Sequence, residues 1–233
     1  MNKIEVKILD SNLNGMPRFL ARLTQRGHLI NSMKDVISLY DDSIKSPPGK
    51  YLMTLPHTTI KRMNYITVAV SGLSTKCVSQ LRTHAKRLTF ISTSTQYSSF
   101  DNRDDNYVIP EEYLTEEQIT QMQNALSSVQ NTYNDMIKNG VDKDLAGYLL
   151  PQSLRKVVIM SGNLADWEYV LSLRMCHRNS IETQHVCKLI YKEIYKNYGA
   201  EYCVNMLPAC VHDKCHEGKF CCGKKFEEEE LCF

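Results

Sequence analysis

One long amphipathic helix constrains the fold of this chain more than any other sequence feature. Between Thr115 and Gly140, apolar residues recur at steps of three and four, and 3.6 residues make one helical turn. The members of this stripe are Ile119, Met122, Leu126, Val129, Tyr133 and Met136. Gln118, three residues after Thr115, is typical of a capping box at the helix start, and Gly140 suits its end. We expect the stripe to pack within the core or between subunits.

Shorter patterns predict strands and further helices. Alternating polar and apolar residues predict a strand, and stretches rich in β-branched and hydroxyl residues predict a strand or an extended segment. The predicted strands cover residues 3–9, 60–70, 88–97 and 157–160, the last of them buried. The predicted helices cover residues 16–45, with a break near Arg26, and residues 74–87, 163–176 and 180–197. Because strands and helices do not alternate regularly, we predict an α+β fold with a mixed sheet and long helices.

Chain length and charge limit the broad class of protein. With 233 residues, the chain fits one domain with a small appendage, which we place at residues 1–199 and 200–233. The net charge of +2 is too small to indicate nucleic acid or a membrane by itself, so we expect neither as a partner. No apolar run approaches transmembrane length, and the first residues lack the apolar stretch of a signal peptide. Cytoplasm is therefore the expected compartment.

Two polar residues share a face of the helix predicted after Gly162. Asn163 and Arg174 are eleven residues apart, which at about 100° per residue places them on one side, together with Trp167 and Leu171. A buried guanidinium needs polar partners. In a functional interpretation, Arg174 points at a phosphate or at a planar, acceptor-rich ligand such as a pyrimidine. In the ordinary interpretation, it forms an intramolecular ion pair or lies at the surface.

A basic segment precedes a run of hydroxyl side chains. Residues 80–87 contain four basic side chains within six residues, which suits an anion site for a pyrophosphate or an exposed basic helix face. Residues 92–97 then offer hydrogen-bond donors from their backbone amides and side chains. Next to a basic helix, such donors suit a nucleotide; in an exposed strand they indicate nothing.

The order of these segments resembles that of the flavin-dependent thymidylate synthases. That family has a His before a strand, a helix carrying Gln and Arg-His-Arg, a Ser-x-Arg-Tyr segment, a Leu-Pro segment, and an Asn-Ala-Arg motif followed by a catalytic Arg and a Glu. The corresponding segments are Pro56-His57-Thr58-Thr59-Ile60, residues 66–72, residues 80–84, Ser94-Thr95-Gln96-Tyr97, Leu150-Pro151, residues 163–174 and Glu182. The resemblance runs from about residue 57 to the end, where the Cys-rich tail is similar to that of some members.

Several cationic positions of the family differ here. Gln96 replaces the Arg of Ser-x-Arg-Tyr, and Gly147 stands where an Arg precedes the Leu-Pro segment. The Arg-His-Arg motif corresponds to Thr83-His84-Ala85, or to Arg82-Thr83-His84 in a register shifted by one, and the Arg of Asn-Ala-Arg falls at Asp166 or Ala165. Each lost charge-assisted contact costs on the order of 1.5–3 kcal/mol unless it is replaced. Lys86 and Arg87 are candidates for replacement.

The resemblance implies an FAD enzyme that transfers a one-carbon unit from methylenetetrahydrofolate to C5 of dUMP, giving dTMP, with NADPH as reductant. It implies a homotetramer and two catalytic residues, Arg174 at the uracil edge and His57 near the flavin or folate. The flavin-site residues that it implies are Thr59, Arg82, Thr83, His84, Asn163 and Tyr169. The substrate-site residues that it implies are Gln80, Ser92, Thr93, Ser94, Gln96 and Arg174.

Other functions stay open at the level of sequence. The altered cationic positions also suit a related flavin-dependent pyrimidine C5-methylase or hydroxymethylase of another uridine or deoxyuridine nucleotide, or a paralogue that binds a nucleotide or flavin without turnover. A nucleic-acid-binding protein with a zinc tail is a third alternative, against which the near-neutral charge argues.

The cysteine tail leaves one further alternative. Nine cysteines without a signal peptide are expected to be mostly thiols. Because the tail lacks paired Cys-x-x-Cys spacing, we predict no metal, with zinc held by Cys210, Cys215, Cys221 and Cys222 as the alternative.

Overall fold

The computed structural model describes residues 4–46, 49–55, 57–101, 105–212 and 215–231. Its helices are α1 (Met16–Gln25), α2 (Met33–Ile44), α3 (Tyr51–Thr54), α4 (Thr58–Arg62), α5 (Thr75–Arg82), α6 (Glu116–Lys138), α7 (Lys143–Ala146), α8 (Leu164–Arg174) and α9 (Ile181–Tyr198). Its strands are β1 (Glu5–Ser11), β2 (Tyr65–Ser74), β3 (Thr89–Ser92) and β4 (Arg155–Asn163). The predicted α+β class, with long helices in α6 and α9, is confirmed.

The four strands form one sheet in the order β1-β2-β4-β3. Thr75 on the β2 side bonds to the Leu154 carbonyl before β4, whereas Thr67 bonds to Ser161. Residue numbers therefore rise along β2 as they fall along β4, so this pair is antiparallel. The sheet is antiparallel rather than mixed, which corrects that part of the prediction.

The helix α6 confirms the long amphipathic pattern. The Thr115 hydroxyl accepts a hydrogen bond from the Gln118 amide, and the Gln118 side chain accepts one from the Thr115 amide, which completes the predicted capping box. Tyr133 is fully buried, and the other five residues of the stripe are half-buried. The predicted break near Arg26 is also confirmed, since α1 ends at Gln25 and α2 begins at Met33.

Two strand predictions need correction. The strand predicted from Ile60 begins at Tyr65, because residues 58–62 form α4, in which Lys61 turns inward to a carboxylate on α8. The segment predicted as a buried strand, residues 157–160, belongs to β4, which buries only alternate residues there. Val157 and Ile159 on its other face are 40% and 38% exposed, as expected for a sheet with one open face.

The helix predicted over 74–87 stops earlier, at Arg82. Thr83 ends it, and the amides of Arg87 and Leu88 then bond to the His84 carbonyl in a turn. Within the described residues, no helix has the length and apolar content that crossing a bilayer requires.

The described chain divides into two compact units. The first unit holds residues up to Glu5, Val70–Thr83 and Phe90–Ile159, and its core includes Phe100, Tyr133 and Leu154. The second unit holds Val6–Ala69, His84–Thr89 and the residues from Met160 onward. Its buried residues include Leu13, Trp167, Val186, Ile190 and Met206. The predicted division at residue 199 stays a prediction.

Candidate active site

The junction between β4 and α8 begins with Asn163. Asn163 is the N-cap of α8, and its Oδ1 accepts a hydrogen bond from the Asp166 amide at 3.0 Å. Asparagine is among the preferred residues at this position because its side chain satisfies an orphan backbone donor. Trp167 and Leu171 are buried, and the Trp167 indole donates to the Ile66 carbonyl at 3.0 Å. The face predicted from the sequence is therefore the one that anchors α8.

Arg174 is the last residue of α8, and the side chains of His84 and Asn179 are among the groups that hold it. Its Nε donates to His84 Nε2 at 2.6 Å, and its Nη1 donates to Asn179 Oδ1 at 2.7 Å. The Asn179 Nδ2 donates to the carbonyls of Leu173 and Cys176, which fixes the amide. Neither of these two partners carries a charge, so these bonds orient the guanidinium without neutralising it.

His84 acts here as an acceptor. Burial lowers the pKa of His84 from its ordinary value, and the nearby Arg174 and Arg87 lower it further. The ring is therefore neutral at pH 7, with its proton on Nδ1, and Nε2 is available to accept from Arg174.

Arg87 and Tyr169 extend this group along α8. The Arg87 guanidinium lies 3.7 Å from the centroid of the Tyr169 ring and forms an ion pair with Asp166 at 3.0 Å. His84 meets the same ring edge-on, with centroids 6.2 Å apart. Through this ion pair, Arg87 brings a guanidinium to the first turn of α8 from another segment of the chain.

A cavity of about 670 Å³ borders Arg174. His84 and Tyr169 line it from the α8 side, whereas Cys210 and Cys215 line it from the Cys-rich tail. The tail therefore contributes directly to the surroundings of Arg174. No periodic pattern in the sequence indicates this, because the tail contacts depend on tertiary packing.

The metal prediction rests on the tail. In the part of the chain that the structure describes, no three His, Cys, Asp or Glu residues form a group able to hold a metal ion. Cys210, Cys215, Cys221 and Cys222 are free thiols. The zinc alternative therefore finds no support in the described residues.

The other site residues lie in both units. In the second unit, His57 and Thr59 are exposed at the start of α4, and Pro56 lies outside the described residues. The first unit holds Gln80, Arg82, Thr83, Ser92, Thr93, Ser94 and Gln96. The geometry brings together Arg174, His84, Asn179 and Tyr169, and it separately brings together Arg82 and Ser92, whose side chains bond at 2.7 Å. The individual roles of these residues stay predictions.

The fold is similar to that of a solved flavoenzyme. Thymidylate synthase X from Helicobacter pylori, solved with FAD and dUMP, aligns with a TM-score of 0.64 at 15% identity, covering 87% of this chain and 99% of that one. This likeness identifies the class of fold, an α+β fold shared with a flavin-dependent nucleotide enzyme.

The sequence comparisons identify the family. The family model of the thymidylate synthase complementing proteins matches residues 13–198, and the chain belongs to that family. A flavin-dependent thymidylate synthase from Thermococcus onnurineus is 27% identical over 183 residues, which cover 74% of each chain. Its counterpart from Pyrococcus abyssi is 25% identical over 143 residues, covering 60% of this chain and 58% of that protein's length. The predicted family membership is confirmed.

Proposed function

We propose that this chain is a flavin-dependent thymidylate synthase that transfers a one-carbon unit from methylenetetrahydrofolate to C5 of dUMP, giving dTMP, with NADPH as reductant. The observation that carries the proposal is the placement of Arg174 beside a cavity, where hydrogen bonds to His84 and Asn179 orient its guanidinium. Membership of the family and the activity named for its relatives support it.

Arg174 has the chemistry that the uracil ring requires. A guanidinium stays charged at every physiological pH and presents paired donors in a plane, which suits the acceptor edge of a pyrimidine. Negative charge that develops on the ring during reaction is stabilised by a donor already held in place. His84 and Asn179 supply this preorganisation, because they fix two of the guanidinium nitrogens before substrate arrives.

The residues around the cavity fit a flavin. The cavity has a volume of about 670 Å³, which falls within the range of small-molecule sites. Tyr169 and His84 line this cavity and offer aromatic surface to a planar ring. Arg87 does not line the cavity; it stacks on the Tyr169 ring and pairs with Asp166, which places a cation next to the cavity for a phosphate. Bound FAD supplies the redox chemistry, whereas the chain supplies orientation and charge. We propose that these three residues, with Asn163 positioning α8, hold the cofactor.

The proposal extends to assembly and compartment. The half-buried apolar stripe of α6 leaves part of its surface for another subunit, which supports association of subunits. The homotetramer, with its number of four subunits, is proposed from the resemblance alone. Cytoplasm is proposed as the compartment, on the sequence expectation alone.

The direct test is the visible spectrum and product profile of the purified protein. We expect yellow protein with flavin absorbance that forms dTMP from dUMP when NADPH and methylenetetrahydrofolate are both present. Parallel reactions with UMP test the alternative of a methylase with a different substrate. Colourless protein that binds dUMP but yields no methylated product would support the non-catalytic paralogue instead.

A second test concerns the hydrogen bond from Asn179 to Arg174. Replacing Asn179 with alanine removes one of the groups that orient the guanidinium, so we expect kcat to fall by about tenfold, or about 1.4 kcal/mol of barrier. Asn179→Asp is the matched variant. Its carboxylate keeps the acceptor but neutralises Arg174, so its kcat should fall further. Steady-state kinetics check the order; equal kcat in both variants and the parent would contradict a positioning role.

A further inference from the structure

Lys156 is a lysine on the buried face of a strand. It lies on β4 in register with Val158 and Met160 and is only 7% exposed. Its Nζ donates to the Thr93 carbonyl at 3.0 Å and lies 4.9 Å from the centroid of the Phe100 ring. Within the described ranges, no carboxylate lies at ion-pair distance from this ammonium. A buried cation without an anionic partner is unfavourable unless something else uses its charge.

The ammonium is directed at the hydroxyl-rich segment, residues 92–97. Thr93, whose carbonyl accepts from Lys156, lies within this segment, and Arg82 donates to the Ser92 hydroxyl at 2.7 Å. Lys156 and Thr93 also line a cavity of about 210 Å³. Arg155 and Asp105 share that cavity, and they form an ion pair with each other at 3.0 Å. The charge of Lys156 is therefore left for another anion.

The same segment has lost two cations relative to the resembled family. Gln96 and Gly147 stand at positions where that family carries Arg. The structure brings these two positions together, because a Cβ added to Gly147 would lie 3.5 Å from the Thr95 carbonyl oxygen. Lys156 supplies positive charge to the segment from a strand instead.

We propose that Lys156, with Arg82 beside it, binds the phosphate of a nucleoside 5′-monophosphate at residues 92–96. The proposal rests on the proposed function for the identity of the nucleotide. A lysine ammonium is a compact point charge with three donors, of which the Thr93 carbonyl takes one. A phosphate dianion accepts from the others and compensates the buried charge. Ser92 and Ser94 place hydroxyl groups on the same segment.

The test compares two ligands that differ only in the phosphate. The dissociation constants of dUMP and of deoxyuridine are measured by calorimetry on the full-length, flavin-containing protein and on its Lys156→Met variant. We expect dUMP binding to weaken by about tenfold or more, as for a lost charge-assisted hydrogen bond, and deoxyuridine binding to change less than about twofold. Lys156→Arg, which keeps the charge, should retain most of the dUMP affinity. Unchanged dUMP affinity, or an equal loss for both ligands, would overturn the proposal.

A rescue variant separates charge from packing. Gly147 has right-handed helical backbone angles, and the space around its Cβ position holds only ordinary contacts, so an Arg there is tolerated. Gly147→Arg in the Lys156→Met background is expected to restore dUMP affinity, whereas Gly147→Leu is not. Binding of dUMP and formation of dTMP are measured separately. If the protein binds dUMP through Lys156 but forms no dTMP, the proposed function is refuted and the role of Lys156 is retained. If neither Gly147→Arg nor Gly147→Leu restores dUMP affinity, this result counts against a phosphate-binding role for Lys156.

Discussion

Replacing Arg174 with alanine is expected to lower kcat for dTMP formation by at least roughly 100-fold while the protein stays folded. The guanidinium is preorganised by His84 and Asn179, so its loss removes charge stabilisation that water cannot supply with the same geometry. The side chain is half-buried rather than part of the core, which is why the fold should survive its removal. Full turnover in this variant would refute the assignment of Arg174.

The controls for Arg174 distinguish charge from shape. Arg174→Lys keeps the positive charge but loses the planar pair of donors, so its kcat should lie between those of the parent and the alanine variant. Thermal unfolding and flavin absorbance check that the fold and the cofactor are retained. If lysine and alanine were equally inactive, the paired donors would be essential; if lysine were fully active, charge alone would suffice.

His84 gives an independent reading of the same contact. Burial is the main cause of its lowered pKa, and Arg174 is the next cause. Removal of the guanidinium should therefore move the pKa of His84 upward, toward its ordinary value, which NMR titration of the ring can follow. A pKa that stays unchanged in Arg174→Ala would show that the two side chains are not in contact in solution.

Local patterns in the sequence predict most of the long elements. The capping box of Thr115 and Gln118 and the apolar stripe locate α6, and similar periodicity locates α8 and α9. One error occurs where a distant contact overrides the local pattern. Residues 58–62 form a helix rather than a strand, and Lys61 within it pairs with Glu168, 107 positions away.

The candidate site shows the same division. Arg174, Asn163 and His84 are found in the sequence because they resemble a family motif, and the structure places two of them in contact. Asn179 is not found, because an Asn after a helix end is commonplace and only its bond to Arg174 reveals a role. The pairing of Asp166 with Arg87 is likewise invisible in sequence, since the two residues lie 79 positions apart.

Breaking the ion pair between Lys61 and Glu168 is expected to lower the free energy of unfolding by about 3–5 kcal/mol. The Lys61 Nζ lies 2.7 Å from Glu168 Oε1, and the two side chains are 5% and 14% exposed. Asn205 also donates to Glu168 Oε1, at 3.2 Å, so the carboxylate connects α4, α8 and the tail. Glu168→Ala leaves the Lys61 ammonium buried without its carboxylate, and the desolvation penalty then opposes folding.

The double variant Lys61→Met/Glu168→Leu separates the effect of the ion pair from the effect of burying two side chains at these positions. Apolar residues of similar size at both positions remove the buried charges together, so most of the lost stability should return. Urea unfolding of the parent, Lys61→Met, Glu168→Leu and the double variant gives the coupling energy, provided that the m-values agree. A Glu168→Ala variant within about 1 kcal/mol of the parent would show that water reaches this pair. Because α8 also carries Arg174, dTMP formation should fall in Glu168→Ala and return with stability in the double variant, which links the anchoring of the helix to the reaction at its end.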